Sequence, residues 1–149
     1  MNAEIKKKRA SASSLFLMEL VVAILFFTLA ASLCITIFVR AHIQSERAKE
    51  LNRAVNLCSD TAELIRTSKS VSEATAVLKN QYALMVPGSK SGELYIYFDE
   101  DYNMIMSHAS NHKEIIQLTE SDGRMDVKIS FTDASGYEVY GLSFVHALQ

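Results

Sequence analysis

The chain has little that would break or crosslink its backbone: one proline, five glycines, two cysteines and no tryptophan in 149 residues. Neither Gly nor Pro occurs between Leu15 and Val86, so long uninterrupted helices are allowed there. Charge of one sign is also lacking. With 15 basic and 17 acidic residues the net charge is -2, which supplies no extended basic surface, and nucleic acid is not an expected partner. Cys34 and Cys58 would lie about 36 Å apart on one helix, far beyond the reach of a disulfide. They read as free thiols, with an intermolecular link through Cys58 as the alternative. Chemistry-bearing motifs are scarce too: there is no Gly-rich phosphate loop, no GxSxG and no paired cysteine ligands. Neither catalysis nor a cofactor is expected.

What the chain does have is one long apolar run. From Leu15 to Val39 there is no Lys, Arg, Asp, Asn, Gln or His, and Glu19 is the only ionisable carboxylate. About 20 apolar helical residues cross a bilayer, so this segment is long enough to span it with some tilt. Lys6, Lys7, Lys8 and Arg9 precede the run and a single Arg40 follows it. That imbalance predicts a single span with the N-terminus cytoplasmic and the rest of the chain exported.

Four regions follow: a basic leader (1–14), a transmembrane segment (15–39), an amphipathic helix with a short second helix (40–92), and an antiparallel sheet (93–149). After Arg40, Ala48, Leu51, Val55, Cys58, Ala62 and Ile65 recur at steps of three and four, one apolar stripe on a helix expected to continue from the membrane to about Thr67. Such a rod would be on the order of 80 Å long. Ser70 and Glu73 fit a capping box opening a second helix to about Tyr82, with Val71, Ala74, Val77 and Leu78 on its buried face. From Glu93 the period becomes two, with turns at Asp99-Glu100-Asp101, Ser121-Asp122-Gly123 and Asp133-Ala134-Ser135-Gly136. The predicted fold is α+β, a long N-terminal helix packed on four to five short antiparallel strands.

Ser14-Leu15-Phe16-Leu17-Met18-Glu19-Leu20-Val21-Val22-Ala23-Ile24 resembles the start of type IV pilin-like proteins, which include minor pilins and pseudopilins. The resemblance implies that a membrane-embedded prepilin peptidase cuts between Ser14 and Leu15 and that Leu15 is then methylated. Glu19 becomes the fifth mature residue and guides assembly by neutralising the amino group of an adjacent subunit. The implied partners are that peptidase, other pilin or pseudopilin subunits, the inner-membrane assembly machinery and the lipid bilayer. Ser14 stands where the family usually has Gly, and Leu15 where Phe is usual. The helix-kinking Pro and Gly of many major pilins are absent, so a minor pilin or pseudopilin is implied rather than the main filament subunit.

Two other readings explain the apolar run. A signal peptide ending near Ala30-Ala31-Ser32 is opposed by Glu19 and by the continuation through Val39, since an uncharged h-region is 7 to 15 residues long. Leu33 before Cys34 also does not suit lipidation. A signal-anchored scaffold or binding domain that forms no filament explains all but the position of Glu19. Further along, His108 and His112 have a metal-like i, i+4 spacing only on a helix, whereas Ser107 to Asn111 reads as a loop. Asp99, Asp101 and Asn103 resemble the opening of a calcium loop, but Met104 and Ser110 stand where Gly and Glu belong. A hairpin turn is the expectation there, with calcium as the alternative. Tyr95, Tyr97, Tyr102, Tyr137 and Tyr140 are expected either to face neighbouring subunits or to complete the core.

Overall fold

The computed structural model describes residues 2–106 and 110–148, with side chains from residue 13 onward. The chain divides into two compact units, Met1–Arg47 and Ala48–Gln149. Helix α1 is continuous over Asn2–Arg66, as the absence of Gly and Pro predicts. In the first unit its described residues are exposed throughout.

In the second unit the rest of α1 has one buried stripe: Ala54, Cys58, Thr61, Ala62 and Ile65. The expected stripe therefore begins later than its pattern suggests. Ala48 is exposed and Leu51 is 43% exposed, while Val55 is half-buried. Three small side chains, Ala54, Cys58 and Ala62, let the helix axis approach the sheet closely, which a stripe of leucines would not allow.

Helix α2 covers Val71–Gln81 and buries Ala74 and Leu78. Its capping box differs by one residue from the expected form. Ser70 Oγ accepts from Glu73 N at 3.1 Å, but the Glu73 carboxylate accepts from Lys69 N at 2.7 Å rather than from Ser70.

Six antiparallel strands follow, where four to five were expected: β1 (Val86–Pro87), β2 (Glu93–Phe98), β3 (Met104–Ile105), β4 (His112–Ser121), β5 (Arg124–Asp133) and β6 (Glu138–Ala147). The order is β1-β2-β4-β5-β6, with β3 also paired to β2. The excess comes from β1 and β3, two residues each, which are too short to show a period of two in the sequence. β1 contains Pro87, acceptable because β1 is an edge strand and an edge leaves one N–H unneeded.

Strand alternation builds the core. Leu94, Ile96 and Phe98 of β2, Ile116 and Leu118 of β4, and Met125, Val127, Ile129 and Phe131 of β5 form one cluster with Ala54, Cys58, Ala62, Ile65, Ala74 and Leu78 of the helices. A β-bulge between Phe131 and Thr132 disturbs the otherwise regular β5–β6 register. The β4–β5 connection places Asp122 at φ 49° and Gly123 at φ 72°, the two left-handed residues that a tight Asp-Gly hairpin requires.

Candidate functional site

The residues singled out for processing and assembly all lie on α1. Ser14, Leu15 and Glu19 are exposed and helical. The backbone at Lys6, Lys7, Lys8 and Arg9 is helical, and their side chains lie outside the described residues. Around Glu19 the helix is apolar on every side: Leu15, Phe16, Phe27 and Phe38 are each at least 66% exposed. Besides Glu19 and the Cys34 thiol, the only polar side chains in Leu15–Val39 are hydroxyls, and two of them are turned inward on the helix itself. Thr28 Oγ1 donates to Ile24 O at 2.8 Å and Thr36 Oγ1 to Ser32 O at 3.0 Å. A hydroxyl satisfied by its own backbone can sit in hydrocarbon at little cost.

This is a helix long and apolar enough to cross a membrane, and none of its most apolar window is buried by the protein. A soluble protein uses such a segment as a buried core helix. Here the chain leaves it uncovered, and an all-round apolar surface of this size calls for lipid or for another apolar chain.

The second unit holds a feature that sequence reasoning missed. Glu114, on β4, is 1% exposed and points into the core. Burial pushes its carboxyl up from the ordinary carboxylate range to about 7, a hydrogen bond from Thr61 partly offsets this, and Asp60 adds to it. Its Oε1 has no hydrogen-bond partner among the described residues. Around it, Thr61 Oγ1 and the Tyr82 hydroxyl lie 3.2 Å apart. Burial also raises the Tyr82 phenol and the Cys58 thiol, keeping both protonated, and Cys58 is buried and unpaired. A buried, unreactive thiol is how a packing cysteine behaves. The signal for Glu114 was present in the alternation: it occupies the same parity as Ile116 and Leu118. It was obscured because the adjacent pair Ile115-Ile116 hides which residues point inward.

At the neighbouring end of the sheet, His112 opens β4 instead of lying on a helix, and His108 falls outside the described residues. The His112 ring stacks on Tyr102 at 4.6 Å, with 9° between the planes, and on Phe131 at 5.5 Å. Its Nδ1 is 3.7 Å from Glu50 Oε1 of α1. The acidic turn after β2 is built by its own hydrogen bonds. Asp99 Oδ1 accepts from the backbone N–H of Asp101 at 3.0 Å and of Asn103 at 2.8 Å, and these bonds hold its carboxyl below its usual range. The side chain thus does the work of a turn-former. Among the described residues no group of three His, Cys, Asp or Glu side chains converges as a metal site would require.

The tyrosines differ in burial. Tyr97 is buried, and Tyr102 and Tyr140 pack against the core, whereas Tyr137 is 71% exposed. Tyr95 lies half-buried outside the core cluster, its hydroxyl 2.8 Å from the Glu93 carboxylate and its ring beneath Lys113 Nζ at 4.8 Å. No protein-family profile, no curated protein and no solved structure matches this chain.

Proposed function

We propose that this chain is a minor pilin or pseudopilin, a structural subunit that assembles into a filament of the type IV pilus, type II secretion or competence kind through its apolar N-terminal helix. The observation that carries the reading is the position of Glu19: the only carboxylate in an otherwise uncharged span, fifth after the Ser14–Leu15 bond. A carboxylate costs at least ~2.5 kcal/mol at the centre of a bilayer and less towards its edge, and Glu19 stands near one end of the span. Pairing with the free amino group of a neighbouring Leu15 offsets that cost within a helical bundle where water is scarce.

Before cleavage the subunit is a single-pass membrane protein, its basic leader in the cytoplasm and its sheet domain outside. Ser14 and Leu15 lie within α1, so the peptidase must unwind the helix locally to reach the bond. After removal of residues 1–14 and methylation of Leu15, the assembly machinery draws the subunit from the bilayer. Neighbouring helices then cover the surface that lipid covered. The contact is head-to-tail and does not close, so it propagates.

Co-expression with a prepilin peptidase, followed by mass spectrometry of the mature N-terminus, tests this directly. The expected product begins with methylated Leu15. A product beginning near Ala31 or Leu33 identifies a cleaved signal peptide and ends the proposal. Glu19→Ala is expected to insert in the membrane normally yet fail to enter filaments. Normal incorporation of that variant reduces Glu19 to a side chain that reaches the headgroups, as in a signal-anchored scaffold.

A further inference from the structure

Two buried side-chain atoms have no hydrogen-bond partner among the described residues, Glu114 Oε1 and His112 Nδ1. They belong to residues two apart on β4, and strand alternation puts both on the face that packs against α1. We propose that β4 is an acid-tightened clamp on the α1 segment from Ala48 to Arg66: Glu114, buried as a neutral acid against Cys58 and Thr61, holds the helix on the sheet, and its deprotonation loosens it.

The surroundings of Glu114 set the direction. α1 presents Cys58, Asp60 and Thr61 towards Glu114, and Tyr82 approaches from beyond α2. Its cross-strand neighbours are apolar, Ile96 on β2 and Phe131 on β5. An ionised Glu114 would therefore be a buried anion with one oxygen unpaired and another anion, Asp60, nearby. Water relieves this most readily by entering between α1 and β4.

Around His112, Glu50 comes from α1, Asp133 stands opposite on β5, and Arg53 of α1 lies 5.9 Å from the centre of the stacked Tyr102 ring.

Glu114 has its folded-state value raised from 4.5 to about 7. Its contribution is fully present below the unfolded value, and it is lost as pH rises through the folded one. Hydrogen exchange of the full chain in detergent micelles, followed at residues 48–66 and 112–118 from pH 5 to pH 8 and corrected for intrinsic rates, reads the clamp. Protection is expected to fall on the order of 50- to 100-fold over that range. Glu114→Gln, which copies the neutral acid, should flatten most of the slope.

Wild-type protection that does not fall with pH overturns the clamp, as does the same slope in Glu114→Gln. If the Glu114→Gln variant does not fold, a carbon-13 titration of the Glu114 carboxyl in the wild type decides the matter. A midpoint near neutrality supports the clamp, and one in the ordinary carboxylate range removes it.

Discussion

One helix crosses two different environments. Between Leu15 and Val39 the apolar side chains of α1 point in every direction and the protein covers none of them, whereas between Ala54 and Ile65 only one stripe is apolar and the sheet buries it. The same hydrophobic chemistry therefore does separate jobs. In the first stretch it selects lipid or other helices as solvent, which requires length and continuity but no fitted partner. In the second it must match a surface, so small residues line the stripe up to Ile65 and a single volume change is felt. The polar groups follow the same division. Thr28 and Thr36 turn back onto their own helix, while Thr61 reaches out to Glu114 and Tyr82.

The largest expected effects come from exchanging the demands of the two environments. Phe131 is fully buried, 5.8 Å from the Phe98 ring, and Phe131→Ala should lower the stability of the sheet domain by ~3–5 kcal/mol. Chemical unfolding in mild detergent, followed by near-ultraviolet circular dichroism, measures this, and membrane insertion should not change. Leu25→Arg is the converse. It should cost roughly 2.5–3.5 kcal/mol in membrane insertion while the sheet domain keeps its unfolding midpoint. Membrane fractionation with a reporter fused beyond Arg40 reads the loss. A Leu25→Arg protein that inserts normally and unfolds early would reverse the division between the two stretches.

The two stretches also differ in how plainly the sequence announces them. The apolar stretch, long enough to cross a membrane, could be read from composition alone, because a run of 25 residues with one charge needs no fitted partner to show itself. The α+β order, the continuity of α1, the start of α2 and the turns at Asp99, Asp122 and Asp133 were equally legible, since each rests on local chemistry: helix breakers, a cap, or an Asx side chain that bonds its own backbone. Long-range packing decided the remainder. Ala48 and Leu51 fit the helical stripe but find no sheet beneath them. β1 and β3 exist only because β2 offers them an edge, and Glu114 is buried by α1, more than 50 residues away in the chain. No local pattern states that an acid in a strand will meet the small-residue face of a distant helix.

The comparison extends to the backbone. α1 contains no glycine, whereas the sheet's turns depend on it, and Gly92 and Gly123 depend on it for different reasons. Both have positive φ, 76° and 72°. A Cβ at Gly92 would lie 2.3 Å from the carbonyl oxygen of Leu118, a backbone atom fixed in β4, and Gly92 O also accepts from Leu118 N at 2.9 Å. Gly92→Ala should thus combine a left-handed penalty of ~1 kcal/mol with an overpacking cost of ~1–3 kcal/mol as the β2–β4 pairing opens.

At Gly123 nothing lies within 4 Å of the added atom. Gly123→Ala should therefore show the torsional term alone, about 1 kcal/mol, read as a small shift in the urea midpoint with an unchanged slope. The difference between the two variants isolates the steric term, and neither should alter membrane insertion, because the span has no turn to disturb. Equal losses from both would mean that β4 yields at Leu118. The sheet would then be softer at its β2–β4 seam than its regular register implies.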